Sequence, residues 1–270
     1  MARAAPEEWR SDDMTSGGYH LFALVRAGVP PPAGLPEGLE AGRVLLLPAG
    51  PATAVAQEVS SGFIVRLQQG AGGEAERVWL TDRLLEHERV VESFALLGPT
   101  LPLGFGVLLV DPAVLPAAVA PHASALSAFF ARTAGRQEWS LKFFVRDEVP
   151  KRGRMAMTAR SGRDYLTARH AVPERAAVRE AAGLAFVERA MARLRPLCEE
   201  VVSNKSGASP SKGLRLVANL ALLVADTDRK ALVAGVENLL APADESEVEL
   251  ALTGPWPLYS FRPPIAFGGT

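Results

Sequence analysis

The side chains able to move a proton, hold a soft metal or attack a carbonyl are few: four histidines, His20, His87, His122 and His170, and one cysteine, Cys198. No histidine lies three to five residues from another histidine or from the cysteine, so the spacing of a zinc site is missing. His87 stands between Glu86 and Glu88 and reads as a surface histidine on a helix. His20 alternates within a strand and reads as structural. Arg195 precedes Cys198 by three residues, and a basic neighbour lowers a thiol pKa; a small buried cysteine is nevertheless the commoner case. Gly104-Phe105-Gly106 begins like a dinucleotide fingerprint, but Leu109 stands where the third glycine belongs and the glycines open a strand. Lys212-Gly213 reverses the order that a phosphate-binding loop needs and also precedes a strand. No Gly-x-Ser-x-Gly elbow occurs, and the pairs Asp12/Asp13 and Glu199/Glu200 read as surface charge. The residue types predict a protein without an enzymatic site, cofactor or metal.

Two stretches suit binding better than catalysis. Between Lys151 and Arg195 there are eleven basic and four acidic residues, +7 over 45 positions. Such a patch can meet phosphates, an anionic surface or an acidic partner, or can be a solvated helix face. No aromatic platform for a single strand interleaves with the arginines, so a protein partner ranks ahead of nucleic acid. A nucleic-acid or regulatory binding module on residues 151–195 is the alternative reading. The second stretch is Thr253-Gly254-Pro255-Trp256-Pro257-Leu258-Tyr259-Ser260-Phe261. Its prolines forbid helix, and its three aromatics are worth about 1.5–3 kcal/mol each on full burial. The tail is therefore expected to fold back onto the protein or onto a partner.

The elements that must position these residues follow from periodicity. Tyr19–Val25, Arg43–Leu47, Val55–Val59 and Phe63–Leu67 read as strands. Thr81 reads as the N-cap of a helix with Leu84, Leu85, Val91, Phe94 and Leu97 on one face. Leu101–Val110 reads as a strand, and the Ala-rich helix after Asp111-Pro112 must kink at Pro121. Trp139, Leu141, Phe143 and Val145 alternate on a half-buried strand, with Phe144 the exception. The long helix from Glu174 to about Arg195 turns Val178, Ala181, Leu184, Ala185, Phe186, Ala190, Met191 and Leu194 inward. A strand with Leu220, Leu222 and Val224 on one face, a helix with Leu232, Val236 and Leu239, and a strand at Glu247–Thr253 complete the chain. The 270 residues carry a net charge of −1, 48% hydrophobic and 22% charged residues, which excludes disorder, collagen and coiled coil. A lone cysteine excludes a disulfide scaffold and fits a reducing, cytoplasmic setting. Neither a signal peptide nor an uninterrupted apolar span is visible, so no membrane partner is expected. The fold class is α+β, two small α/β-sandwich domains. Boundaries are placed at 1–17 for a flexible N-terminus, 18–149 for the N-terminal domain, 150–163 for a linker, 164–253 for the C-terminal domain and 254–270 for an extended tail.

The chain resembles the gas vesicle protein F/L family. The resemblance rests on five collinear stretches: Tyr19-His20-Leu21-Phe22-Ala23-Leu24-Val25, Leu84-Leu85-Glu86-His87-Glu88-Arg89-Val90-Val91-Glu92, Leu101-Pro102-Leu103-Gly104-Phe105-Gly106, Gly162-Arg163-Asp164-Tyr165-Leu166 and the tail motif Leu252–Phe261. Gly104 stands where the family usually has an arginine, and Leu258 where it has a second proline. The resemblance implies a ferredoxin-like C-terminal domain and a non-enzymatic accessory protein of gas vesicle formation. Its implied partners are the main hydrophobic shell protein and other accessory proteins, in the cytoplasm at the vesicle. On this reading Arg163, Arg175, Arg179, Trp256, Tyr259 and Phe261 are the expected partner-binding residues.

Overall fold

The structure, a computed structural model, describes residues 17–146, 162–204, 213–240 and 248–265. It divides into two compact units, Met1–Gly135 with Pro257–Thr270, and Arg136–Trp256.

The first unit is built on β1 (Gly18–Arg26), whose residues Leu21, Phe22, Ala23 and Leu24 are at most 1% exposed. A strand buried on both faces reads as a continuous apolar run, which is what Leu21–Val25 is. β1 pairs antiparallel with β3 (Ala52–Val59), and β2 (Leu45–Ala49) lies outside β3. On its other side β1 pairs with two short strands, β4 (Thr100–Pro102) and β5 (Leu108–Leu109). The expected single strand Leu101–Val110 is thus interrupted by a turn at Gly104–Val107, with Gly106 at φ 88°, after which the chain resumes its course along β1.

Two helices cover one side of this sheet. Residues 61–69 form α1 (Ser61–Gln69) instead of the expected strand at Phe63–Leu67. Ser60 accepts the Phe63 N–H at 3.1 Å as a cap, and Phe63, Ile64 and Leu67 share a helical face. So short an apolar run fits either period, and the cap decides it. α2 (Glu74–Ala95) starts about two turns earlier than expected, with Glu74 and Glu76 at its positive end. Thr81 is not its cap; the hydroxyl donates to Arg77 O at 2.8 Å inside the helix. The buried face is Trp79, His87, Val90, Val91 and Phe94, whereas Leu84, Leu85 and Leu97 are exposed. Trp79 and His87 rotate the inward face away from the leucines.

α3 (Leu115–Val119) and α4 (Ala123–Thr133) are separated by a 3-10 turn holding Pro121, the expected kink. By length and composition the run Pro112–Thr133 is apolar enough to cross a membrane, with a mean hydropathy of 1.5. Leu115, Val119, Leu126, Phe129 and Phe130 are buried in the core, while Val114 is exposed.

The second unit runs β6 (Arg136–Arg146), α5 (Gly162–Leu194), β7 (Glu200–Ser203), β8 (Leu214–Ala225), α6 (Arg229–Leu240) and β9 (Val248–Trp256). The sheet order is β7-β8-β6-β9 with every pair antiparallel. This β-α-β-β-α-β order is the ferredoxin-like topology. β6 is one of its two central strands, so the strand that the sequence reading assigned to the N-terminal domain 18–149 belongs to the second sheet. Nothing local to Trp139–Val145 names the sheet it joins; only its partners Leu220, Leu222, Leu250 and Leu252 do. The core joins Trp139, Leu141 and Phe143 to Leu222 and Val224, Ala190 and Leu194, and Leu232, Val236 and Leu239. On α5 Val178 and Leu184 are 69% and 48% exposed, contrary to expectation. The helix meets the sheet at Gly183, where a Cβ would come within 2.7 Å of Val145 Cγ1, and Leu184 is one step around from that line.

Candidate functional site

The expected partner-binding residues are divided between the two units. Arg163 and Arg175 lie in α5, with side chains outside the described residues, as is most of the basic stretch before them. Arg179 is half-buried on α5. Trp256 ends β9 and is 45% exposed, its indole N–H donating to Thr253 Oγ1 at 3.2 Å, so it does not fold into the core as its size suggested. Tyr259 and Phe261 belong to the first unit. Phe261 is only 3% exposed and its carbonyl accepts from Arg132 at 2.8 Å, which removes it from any partner's reach and makes it a structural anchor. Leu258 is buried as well.

Tyr259 is the polar end of that anchor. Its hydroxyl donates to Glu88 Oε1 on α2 at 2.8 Å, and Arg262 stacks over its ring at 5.8 Å. Burial raises the Glu88 carboxyl above its usual range, the Tyr259 hydrogen bond opposes that, and Glu92 adds to it. Burial, together with Glu88, raises the Tyr259 phenol far above its usual range. Between this tail and β4 runs a groove of about 330 Å³, lined by Leu101, Pro102, Leu103, Tyr259, Arg262 and Ile265 among others.

One residue before Glu88, His87 is fully buried, a correction to its reading as a surface histidine. Its Nε2–H donates to Leu103 O at 3.1 Å. His20, across from it on β1, accepts the Gly106 N–H at Nε2, 3.2 Å away. The imidazole centroids are 5.2 Å apart, and Phe22 and Phe105 pack on both rings. Burial lowers His20 to about 3, with His87 adding to the effect, and burial lowers His87 to about 4. Both rings are neutral over the ordinary pH range, and each is bound to backbone of one turn.

A third polar cluster fixes the loop before β2. Gln57 on β3 accepts from Leu39 N at 2.7 Å and donates to Leu39 O at 2.8 Å. Gly38 and Gly42 flank that amide, and a Cβ on either would overlap it. Next to it Glu40, at φ 51°, accepts from Trp79 Nε1 at 3.1 Å and from Arg83 at 3.2 Å, while Arg83 also pairs with Glu86 at 2.6 Å. Arg66 lies 4.5 Å over the Trp79 ring.

None of these clusters is arranged for bond-making. Cys198 is buried with its thiol pushed up to about 11, and its Sγ–H donates to Leu194 O at 3.3 Å. Among the described residues no three His, Cys, Asp or Glu side chains gather as a metal site would need. What the arrangement does is hold shape: a turn, a tail and a loop fixed to α2. The sequence reading missed His87 and Glu88 as parts of it. The available signal was spacing, since His87, Val90, Val91 and Phe94 fall on one helical face.

The family model described as gas vesicle synthesis protein GvpL/GvpF matches residues 18–263. No curated protein sequence matches the chain at a significant level. The crystal structure of the gas vesicle protein GvpF from Anabaena sp. PCC7120 is similar at a TM-score of 0.65 and 20% identity, covering 92% of this chain and 97% of that one. That of GvpF from Microcystis aeruginosa is similar at 0.61 and 18%, covering 90% and 98%. At such identities the structures show a shared fold, and the family model, spanning both sheets and the anchored tail, shows the lineage: the chain belongs to the gas vesicle synthesis protein GvpL/GvpF family.

Proposed function

We propose that this gas vesicle accessory protein works without catalysis, by binding the main hydrophobic shell protein in the cytoplasm and assisting its assembly into the vesicle wall. The observation that carries this reading is the family match over residues 18–263, nearly the whole chain. The physical need is plain: a shell protein with a large apolar face aggregates unless that face is covered before polymerisation. The first unit supports the role with apolar side chains left in water along α2 and at its C-cap, Val78, Leu85 and Leu96 at 56%, 57% and 80% exposure. The second unit adds the exposed Trp256. The deciding experiment is a pull-down of co-expressed shell protein on the purified chain in moderate salt. Retention that is lost in Leu85→Glu/Leu96→Glu or in Trp256→Ala supports the reading and tells which unit carries the contact. A chain that retains no shell protein, alone or with the other accessory proteins present, overturns it.

A further inference from the structure

His20 and His87 are bound to opposite ends of one short turn. His87, on α2, donates to the carbonyl of Leu103, and His20, on β1, accepts from the amide of Gly106. These bonds fix the tautomers. A carbonyl can only accept, so His87 carries its proton on Nε2. An amide can only donate, so His20 Nε2 is bare and its proton sits on Nδ1. Neither Nδ1 has a hydrogen-bond partner among the described residues. The turn's own Phe105 lies at 5.5 and 5.7 Å from the two rings, and Phe22 closes the other side at 4.8 and 5.4 Å.

We infer that His20 and His87 form a proton-operated clasp on the Leu103–Gly106 turn, shut while both imidazoles are neutral and released when the opened turn lets them take up protons. The chemistry allows no intermediate state in place. Protonating His20 sets an N–H against the Gly106 N–H and destroys that bond. Protonating His87 leaves a new Nδ1–H without an acceptor, on a cation 5.2 Å from the other ring and walled by phenyl groups. Burial accordingly holds the pair near 3 and 4 when shut, against 6.5 when solvated. Linkage then sets the response: from pH 7.5 to 5.5 each histidine favours the open turn by about tenfold, about 100-fold for the pair.

Other titratable and charged groups face the clasp from the elements around it, and of these the Glu88 carboxyl, raised by burial, works in the opposite sense. On α2, Glu86 is paired with Arg83, and Glu88 is bound to Tyr259 from the tail, with Glu92 nearby. Arg66 of α1 lies on Trp79, and Arg262 of the tail lies on Tyr259. On the sheet, β1 carries Tyr19 and Arg26, and His20 is opposite Gln57 of β3, whose neighbour Glu58 is exposed. The clasp has a visible output, because Leu103 also lines the groove beside the tail. It goes beyond shell-protein binding and stands whether or not that reading holds.

The test is amide hydrogen exchange on the full chain, corrected for the intrinsic pH dependence of exchange. Opening measured at Leu103, Gly106 and Val107 rises about 100-fold from pH 7.5 to 5.5, while β8 shows no such rise. His87→Gln, which keeps a donor for Leu103 O, cuts the rise to about tenfold. On the unmodified chain, imidazole ¹⁵N spectra show both rings neutral and in the assigned tautomers at pH 6. The inference is overturned by rings that titrate near 6.5 in the native state, by a rise shared equally with β8, or by an undiminished rise in His87→Gln.

Discussion

Gln57 shows how much one side chain can decide. Its amide binds both backbone groups of Leu39, a residue 0% exposed, in a space that Gly38 and Gly42 leave open. Gln57→Leu keeps the volume but orphans the Leu39 N–H, so chemical denaturation is expected to show a loss of about 1–3 kcal/mol. Glu88 is a different case. Its folded pKa is raised, so the stability it lends is complete below its unfolded value of 4.5 and lost as pH rises through the folded value. Glu88→Gln keeps an acceptor for Tyr259 without a charge to desolvate. Thermal melts should show that variant at least as stable as the parent at pH 8, with a flatter profile; a variant less stable at pH 8 would contradict the burial argument. The histidines act in the opposite sense, and their contribution falls as pH drops from 6.5 toward 4. The sequence showed these residues but not their roles. Gln57 reads as one polar residue in a strand, and His87 between two glutamates reads as surface. Contacts made across 16 to 86 residues leave no local pattern.

At the scale of the elements, the long and regular ones were legible. β6, β8, α4 and α6 follow from apolar period, β1 from its continuous apolar run, and the Pro121 kink from a missing amide proton. Short elements were not, because a run of five apolar residues satisfies both periods. α1 is a helix on the strength of Ser60, and Ser60→Ala should therefore cost about 0.5–2 kcal/mol. A loss below that range in equilibrium unfolding would mean that packing of Phe63 and Ile64 selects the helix without its cap. α2 was legible as a helix but not in its facing, since its most apolar stripe is in water and its inward stripe contains a histidine and a tryptophan. For α4 the facing is unambiguous. Phe129→Ala should remove about 3–5 kcal/mol from the first unit, with the second unit's transition unchanged if the two melt separately.

For the molecule as a whole, the α+β class and the ferredoxin-like half were within reach of the sequence, the latter through its family resemblance. The partition of strands between sheets was not. Period tells that Trp139–Val145 is a strand and is silent on which neighbours it takes. Trp256, Tyr259 and Phe261 looked like one aromatic group, yet the chain passes from one unit to the other between Trp256 and Pro257. Ending the chain after Trp256 should lower the first transition in calorimetry and spare the second, because Leu258 and Phe261 contribute about 1.5–3 kcal/mol each to the first core. This routing also has a consequence in time. Every strand of the second sheet lies within Arg136–Trp256, so that unit can close as soon as those residues leave the ribosome. The first unit waits with the docking site of Phe261 unfilled until the residues after Trp256 have been translated. In the cell, of these two units the one whose synthesis starts first is the one that finishes folding last.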